Sequence, residues 1–295
     1  MKCSSCDKTA VLKNPAYCKE HFCKYFEERV VNTIKNFKLI EKKDRVAVAA
    51  SGGKDSLTVL SILHKYGYNV TAIAIDEGIK GYRDGTLDTL SKFCAKRDIP
   101  LEIASFKGFF GKSLDEILVK KNYRPCTVCG VFRRYLLNKS AKGFDVIATG
   151  HNMDDEAQAI FMNLIKGNVS LLKRQGPISG TSISKKFTRR VKPLYLCPEK
   201  EVMIYSFLFG LTTEFEECPN VNYAFRLRIR DMLNDLELQI PGCKKNLVNW
   251  FLDYKNKIKS KINVFDECCS VCGEPSHSNV CKACMFAEEI KEKNK

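Results

Sequence analysis

The sequence has no apolar run that approaches the roughly 18 residues of a membrane-spanning helix. It also has no recognisable secretory signal before its first cysteine pair, Cys3 and Cys6. These absences argue against a membrane partner and predict a cytoplasmic protein. Because a reducing cytoplasm does not sustain a disulfide framework, the 15 cysteines need another role. We expect most of them to bind metal.

Acidic residues are scarce relative to basic ones. The chain has 34 Asp and Glu residues against 49 Lys and Arg residues, which gives a net charge of +15 and a pI of about 9.1. Such an excess favours a polyanionic partner, most simply a nucleic acid. The hydrophobic fraction of 44% is ordinary for a globular protein. A chain of this length holds one main domain of roughly 200 residues with smaller attachments.

The chain also lacks a Walker A loop, which has the form Gly-x4-Gly-Lys-Ser/Thr. At residues 46–56, Val48 replaces the first glycine and Asp55 replaces the Ser or Thr, which argues against an ordinary γ-phosphate NTPase. The Ser-Gly-Gly-Lys-Asp-Ser stretch at 51–56 instead follows an apolar strand and opens a helix, so backbone amides can approach a phosphate there. It resembles the pyrophosphate loop of enzymes that cleave ATP between the α and β phosphates and adenylate a carbonyl oxygen.

Hydrophobic periodicity predicts alternating strands and helices after an amphipathic stretch at residues 27–40. Apolar strands separated by helices of this length imply an α/β fold with a doubly wound parallel sheet. We predict strands at 45–50, 69–76, 99–105 and 145–149, and helices at 56–66, 85–97, 126–142 and 154–166. From about Leu171 the pattern becomes basic and irregular.

Ligands of such sheets bind beyond the carboxyl ends of the strands. The loop at 51–56 follows the first predicted strand, Asp76 ends the second, and Gly150 and His151 follow a later one. We therefore expect these residues to meet at one edge of the sheet.

Cysteines at both ends of the chain have the spacing of zinc ligands. The C-terminal set is Cys269, Cys272, Cys281 and Cys284. The N-terminal set is Cys3, Cys6, Cys18 and His21. Cys23 competes with His21 for the fourth place, and we favour His21 because its spacing from Cys18 mirrors the first cysteine pair. Four protein ligands leave no open coordination position, so we expect both zinc ions to be structural.

A third cysteine group is different in kind. Cys126 and Cys129 form a Cys-x-x-Cys pair, and the next candidate ligand, Cys218, lies far along the chain. Three thiolates make an incomplete zinc site but suit a 4Fe-4S cluster that keeps one iron free to bind something else. By spacing alone, a redox pair and a third zinc site remain open as well.

Several motifs occur here in one order. They are the loop at 51–56, the Cys126 and Cys129 pair, Gly-His-Asn-Met-Asp-Asp-Glu at 150–156, Arg-Val-Lys-Pro-Leu at 190–194, Cys218-Pro219 and both terminal cysteine modules. Over nearly its whole length the chain resembles the archaeal and bacterial TtuA proteins and their relatives in the cytosolic wobble-uridine thiolation pathway. Members of this family are tRNA 2-thiouridine synthetases with a HUP-type ATP domain of the pyrophosphate-loop superfamily.

The resemblance implies a tRNA sulfurtransferase that uses ATP with Mg²⁺, a 4Fe-4S cluster and two Zn²⁺ ions. ATP would adenylate the C2 oxygen of a uridine, sulfur would replace that oxygen, and AMP and pyrophosphate would leave. The cluster would be held by Cys126, Cys129 and Cys218, and its free iron would carry the sulfide. Sulfur would arrive as free sulfide or on a thiocarboxylated ubiquitin-like carrier. The resemblance also allows for a homodimer.

The resemblance further implies roles for single residues. Lys54 would stabilise charge on the phosphates, and Asp55 and Asp155 would share Mg²⁺ with the nucleotide, with Asp154 as a further candidate. An acid at 154 or 155 also suits the first turn of the next helix. The expected ATP-binding residues are Ala50, Ser51, Gly52, Gly53, Lys54, Asp55, Ser56, Asp76, Arg133, Gly150 and His151.

Two basic clusters follow the ATP-binding motifs. The expected tRNA-binding residues are Lys185, Lys186, Arg189 and Arg190. The second cluster contains Arg226, Arg228, Arg230, Lys244 and Lys245. The predicted domains are a zinc module at 1–23, the ATP-binding catalytic domain at 24–220, a helical region contacting tRNA at 221–262 and a zinc ribbon at 263–295.

Two other hypotheses stay open. A cluster-free adenylating tRNA-modifying enzyme of the same fold would use the same loop, but it has no need for three cysteines near the ATP site. A zinc-ribbon RNA-binding protein without catalysis would leave the loop at 51–56 unexplained.

Overall fold

The computed structural model describes residues 1–120, 123–179, 188–211, 217–221, 225–257, 268–274, 276 and 278–291. Within them the chain forms an α/β domain with helices on both faces of one large sheet, which confirms the predicted fold class. In chain order the elements are β1 (Leu12–Lys13), β2 (Ala16–Tyr17), α1 (Lys19–Asn36), β3 (Arg45–Ala49), α2 (Lys54–Lys65), β4 (Asn69–Asp76), α3 (Arg83–Ala95), β5 (Leu101–Ser105), α4 (Phe106–Phe110), α5 (Leu114–Lys120), α6 (Pro125–Ser140), β6 (Val146–Thr149), α7 (Met153–Ile165), α8 (Val169–Arg174), β7 (Ile178–Ser179), β8 (Arg189–Val191), α9 (Glu199–Leu208), α10 (Phe225–Gln239), α11 (Cys243–Lys257) and α12 (Lys282–Lys291). Among the helices of these segments, none combines the length and the hydropathy of a membrane-spanning helix.

The central sheet has the strand order β5-β4-β3-β6-β8-β7. Its first five strands in this order are parallel, and β7 pairs antiparallel with β8 at the edge. Parallel neighbours need a crossover connection, and helices supply it here. The predicted parallel sheet is therefore confirmed, with one short antiparallel strand added.

Alternate residues of β3 enter two hydrophobic clusters, one on each face of the sheet. Val46 and Val48 join a cluster with α1, α2 and α9, whereas Ala47 joins a cluster with α4, α5 and α6. β6 repeats the pattern, because Ile147 belongs to the second cluster. Burial of both residue sets is what a parallel sheet covered by helices on both faces requires.

The largest difference from the sequence prediction is in α1, which begins at Lys19 and not at residue 27. Phe22 and Phe26 are fully buried and extend the apolar face of the helix towards its N-terminus. The helix ends at Asn36, and Lys38 then adopts a φ of +51°. The other predicted helices and strands agree with the structure to within two residues at each end.

The described part of the chain after Leu171 is more regular than its sequence pattern, and two of its helices lie in the region predicted to be helical, 221–262. Helices α9, α10 and α11 follow that point, and α10 and α11 both pack on α7. Their apolar residues, such as Leu233 and Phe251, form a third buried cluster with α7.

Candidate active site and metal centres

The loop that joins β3 to α2 lies at the carboxyl edge of the sheet. Gly52 has a φ of +88°, and a Cβ at this position would lie 2.1 Å from the carbonyl oxygen of Thr86, so glycine is required. Arg83 of α3 holds the loop from the same side, because its guanidinium donates to the carbonyl oxygen of Ser51 at 2.6 Å.

Ser56 ties the loop to the first turn of α2. Its hydroxyl donates to the carbonyl oxygen of Gly53 at 2.9 Å and accepts from the amide of Ser51 at 3.1 Å. The first amides of a helix have no partner within the helix. The N-terminus of α2, immediately after this loop, is therefore a site for an anion.

Lys54 lies between two carboxylates in the first turn of α2. Its Nζ is 2.9 Å from an oxygen of Asp55 and 2.9 Å from an oxygen of Glu199. Burial alone would lower the pKa of Lys54, but the two negative charges outweigh it and raise the pKa. Lys54 is therefore a stable cation beside the loop.

The segment after β6 packs closely against the start of α2. A Cβ on Gly150 would lie 2.9 Å from the carbonyl carbon of Asp55, so this approach also requires glycine. Asn152 Nδ2 donates to Asp55 Oδ1 at 3.0 Å, which joins the two segments directly. Burial raises the pKa of Asp55, and the charge of Lys54 opposes that shift.

The two adjacent acids of α7 have different roles. Asp155 forms a capping box with Asn152, with both hydrogen bonds at 3.1 Å, and its other oxygen accepts from Arg226 at 2.9 Å. Asp154 instead accepts from Lys244 at 2.6 Å and from the amide of Glu199 at 2.7 Å. Asp154 is thus occupied in packing α11 against α7.

A cavity of about 690 Å³ opens where these segments meet. Its volume lies within the range of about 300–1,000 Å³ that is usual for small-molecule sites. Six cationic and four acidic side chains line it, which suits a polyphosphate. The expected site residues that line it are Ala50, Ser51, Asp55, Ser56, Arg133, Gly150, His151 and Asp155. Asp76 accepts a hydrogen bond from the amide of Gly78 at 2.8 Å, and its neighbour Glu77 forms the cavity wall.

Arg134 and Arg190 are two neighbouring guanidinium groups in the cavity wall. Burial and the charge of Arg134 lower the pKa of Arg190 to about 10. Arg190 donates to Asn138 at 2.6 Å. Within the described segments, neither arginine forms an ion pair with a carboxylate. Two neighbouring cations that repel each other and have no carboxylate partner among the described residues indicate an anion-binding site.

His151 lies in the cavity with its Nδ1 2.9 Å from the hydroxyl of Thr149. Desolvation, followed by the charges of Lys192 and Arg226, lowers the pKa of His151 to about 3. The ring opens to the cavity but is surrounded by cations, so it is neutral at physiological pH. Lys192 itself pairs with the buried Glu156 at 2.6 Å.

The structure brings Cys218 to the start of α6, beside Cys126 and Cys129. Cys126 Sγ donates to the carbonyl oxygen of Asn220 at 3.7 Å, and Cys129 and Cys218 pack on the same hydrophobic cluster. Burial raises the pKa of Cys129 to about 11, with Arg133 opposing this shift and Glu77 adding to it. Since Glu77 and Arg133 also line the cavity, the three cysteines adjoin its wall.

Each terminal module gathers four ligand atoms within 4.8 Å of one another. A tetrahedral ion with bonds of 2.3 Å to sulfur separates its ligands by roughly 3.8 Å. In the N-terminal group, three thiols lie 3.3–3.6 Å from His21 Nδ1, and Cys6 and Cys18 are 3.7 Å apart. Cys272 and Cys281 of the second group are 3.8 Å apart. The members are Cys3, Cys6, Cys18 and His21 in one group and Cys269, Cys272, Cys281 and Cys284 in the other. His21, not Cys23, completes the first group.

The described residues of the two expected basic clusters differ in their surroundings, and Arg228 and Lys245 are exposed. Lys185 and Lys186 lie outside the described residues. Arg189 donates to the carbonyl oxygens of Lys38 and Leu39, at 3.3 and 2.9 Å, while Arg190 faces the cavity. In the second cluster, Arg226, Arg230 and Lys244 are each paired with an acid.

Sequence reasoning did not find Glu77, Arg83 and Arg134, which all line the cavity. Glu77 directly follows β4, so the rule that ligands meet the carboxyl edge of the sheet could have indicated it. Arg83 and Arg134 have no comparable signal, because their positions depend on how α3 and α6 pack.

A glycine loop at a helix N-terminus, beneath a cationic cavity at the edge of a parallel sheet, defines a nucleotide-binding domain of the pyrophosphate-loop class. Residues 23–236 match the family model described as the PP-loop domain. The chain is 39% identical to the tRNA-5-methyluridine(54) 2-sulfurtransferase of Pyrococcus horikoshii, covering 100% of this chain and 96% of that protein. It is 36% identical to cytoplasmic tRNA 2-thiolation protein 1 of Candida glabrata, covering 99% and 87%. The chain belongs to the PP-loop family of tRNA 2-sulfurtransferases and 2-thiolation proteins, which confirms the resemblance found in its motifs.

A solved structure supports the same relationship. The chain matches the U34-tRNA thiolase NcsA from Methanococcus maripaludis, determined with its 4Fe-4S cluster, with a TM-score of 0.82. The identity is 35%, and the match covers 98% of this chain and 96% of that one. The similarity therefore extends over the PP-loop domain and both terminal modules.

Proposed function

We propose that the chain is an ATP-dependent tRNA 2-sulfurtransferase that acts in the cytoplasm and replaces the C2 oxygen of a uridine with sulfur. The observation that carries this proposal is the position of Cys126, Cys129 and Cys218 against a cationic cavity, with Glu77 and Arg133 shared between them. The names of the relatives support it. They refer to two different uridines, 54 and 34, so mapping the modified nucleoside belongs to the test.

The residues of the cavity suit ATP. The amides at the start of α2 and the ammonium of Lys54, which lies beside the cavity-lining Asp55, would receive the phosphates. Arg134 and Arg190 of the cavity wall would supply further positive charge. Asp55 and Asp155 both line the cavity and offer carboxylate oxygens, the ligands that Mg²⁺ prefers. Mg²⁺ bound there would offset the burial that raises the pKa of both acids.

The chemistry needs the uridine oxygen to become a leaving group. The C2 oxygen would attack the α-phosphorus of ATP and pyrophosphate would leave. Sulfide would then attack C2, and the oxygen would depart with AMP. Neutral His151 is suited to shape this pocket and not to transfer protons at neutral pH, because its pKa is lowered to about 3 by desolvation. Reactants held side by side gain the advantage of an intramolecular reaction.

Cys126, Cys129 and Cys218 would hold a 4Fe-4S cluster. Their donor set fits this group better than a single zinc ion, because they are not among the groups of described residues that gather ligand atoms within 4.8 Å. A 4Fe-4S cluster is larger than a single ion, so its three thiolate ligands lie farther apart than the ligands of zinc. When bound, the cluster would supply one iron without a protein ligand, on which sulfide can be held beside the cavity.

Each terminal module would hold one structural Zn²⁺. The near-tetrahedral spacing of the donors supports this assignment, and four protein ligands exclude an open catalytic position. Sulfide or a thiocarboxylated ubiquitin-like carrier would deliver the sulfur, and tRNA is the acceptor.

The function is tested by incubating anaerobically reconstituted protein with ATP, sulfide and tRNA. Pyrophosphate release and 2-thiouridine are both measured. Lys54→Ala should lower both by about 100- to 1,000-fold, as expected for loss of a group that stabilises transition-state charge. Lys24→Ala, which removes an exposed lysine of α1, is the matched control and should retain both. Pyrophosphate release without any thiolated nucleoside would favour the cluster-free adenylating enzyme.

A further inference from the structure

Trp250 and Tyr254 form a stacked aromatic pair on the outer face of α11. Their ring centroids are 5.3 Å apart and the ring planes differ by 12°. Trp250 is 47% exposed and Tyr254 is 42% exposed. Trp250 is the chain's single tryptophan. The helix therefore has large aromatic side chains exposed to water in addition to its buried apolar residues.

The opposite face of α11 explains why the pair keeps its orientation. Val248 and Phe251 are buried in the cluster that α11 forms with α7 and α10. With this face fixed, helical geometry directs residues 250 and 254, one turn apart, to solvent. The pair is therefore a preformed surface feature of a firmly packed helix.

The surroundings of the pair are polar and include a cation. The exposed residues on the same side of α11, three or four positions from Trp250 or Tyr254, are Asn246, Asp253 and Lys257. The core of a protein–protein interface is usually depleted of charged residues. Exposed aromatic rings beside a cation are instead typical of surfaces that bind single-stranded nucleic acid.

The helix that carries the pair is joined to α7 at one end and to the cavity wall at the other. Near its N-terminus, Lys244 pairs with the buried Asp154 of α7 at 2.6 Å. Near its C-terminus, Lys255 donates to the carbonyl oxygen of Gln175, a residue that lines the cavity. A substrate that reaches the cavity through a nucleotide loop would therefore have its neighbouring nucleotides close to α11.

We propose that Trp250 and Tyr254 form a stacking platform for an unpaired base of the substrate RNA, distinct from the uridine that reacts. This inference rests on the proposed function, because tRNA is taken as the substrate. RNA is recognised chiefly through unstacked bases of loops, which stack on aromatic side chains. Lys257 would bind an adjoining phosphate, in keeping with the net charge of +15.

The test uses the tryptophan emission of the full-length, metal-loaded protein, which reports on this platform alone. Titration with unmodified tRNA should quench the emission, with a midpoint equal to the Kd from filter binding. Trp250→Ala should weaken tRNA binding by about 5- to 100-fold, the usual loss when a base-stacking ring is removed. Trp250→Phe should recover most of the affinity. Tyr254→Ala provides a second variant of the same platform.

Phe207→Ala is the matched control, because Phe207 of α9 is 73% exposed but lies outside this face. The inference is overturned if wild-type protein binds tRNA with unchanged emission and both alanine variants bind within twofold of it. It is also overturned if Trp250→Ala converts a wild-type dimer into a monomer without affecting tRNA binding, since the face then belongs to a second copy. Absence of tRNA binding by the wild-type chain would overturn the proposed function together with the platform.

Discussion

Some charged side chains of the cavity have a partner of opposite charge within the described residues, and others do not. Glu156 and Asp155 each have a cationic partner within 2.9 Å. Arg134 and Arg190, by contrast, have no carboxylate partner among the described residues, although burial lowers the pKa of both. A bound anion would supply the negative charge that these two arginines lack. The phosphates of ATP are the anion that the proposed function supplies.

The first prediction concerns the two glycines of the pyrophosphate loop. Gly52→Ala should lower the free energy of unfolding by roughly 1–3 kcal/mol or more, because its positive φ is strained for any side chain. The added methyl group would also meet the backbone of Thr86. Gly53→Ala is the control, since a Cβ there lies 3.5 Å from its nearest neighbour, Ser51 Oγ. Urea unfolding without nucleotide measures both variants, and equal losses would contradict the close packing of the loop.

The second prediction concerns His151 and pH. Desolvation lowers its pKa from 6.5 to about 3, so between these values the unfolded chain binds a proton that the folded chain does not. His151 therefore reduces the free energy of unfolding progressively as pH falls from 6.5 towards 3, and contributes nothing above that window.

His151→Asn should make the free energy of unfolding less dependent on pH within this window. Urea unfolding at several pH values measures the slope. His64→Asn, which replaces an exposed histidine of α2, should leave the slope as in wild type. If His151→Asn and wild type have the same slope, the histidine is not desolvated in the folded protein.

At the scale of elements, the site is built from the ends of strands and the starts of helices. The sequence predicted the segments after β3 and β6 as parts of the site. Glycines, small hydroxyl residues and acids that follow a strand are typical of a phosphate-binding loop. It predicted a helical region at 221–262, where α10 and α11 lie, but it did not predict α9. The contribution of Arg83 depends on the packing of α3 against the loop, which no local pattern encodes.

The third prediction concerns the N-terminal module, where the first turn of α1 contributes a ligand. His21→Ala should remove one zinc ion per chain and lower the melting temperature, because metal-binding energy is folding energy in small modules. Cys23→Ser is the matched control and should keep the zinc, since Cys23 packs beside the hydrophobic core and is not one of the four gathered donors. Metal analysis by mass spectrometry with thermal unfolding tests this. Zinc loss in Cys23→Ser alone would reverse the assignment.

At the scale of the whole molecule, the fold brings distant segments to one wall of the cavity. Cys218 lies far from Cys126 in sequence, yet the turn at Asn220 contacts Cys126 directly. Spacing could identify the Cys-x-x-Cys pair and both terminal modules, but it left a redox pair or a third zinc open for the middle group. The family resemblance implied a three-cysteine site, and the packing of the 217–221 segment against α6 supports one beside the ATP cavity.

The central claim is that this three-cysteine site and the ATP cavity act together in tRNA thiolation. Its most direct measurement is the yield of 2-thiouridine, determined by nucleoside mass spectrometry after anaerobic reaction with ATP, sulfide and tRNA. Wild type and Cys243→Ala should both form 2-thiouridine and AMP, because Cys243 lies on α11 away from the site. Cys218→Ala should bind ATP but form no 2-thiouridine and retain no iron. If a variant lacking Cys126, Cys129 and Cys218 gives the same yield as wild type, the account is wrong.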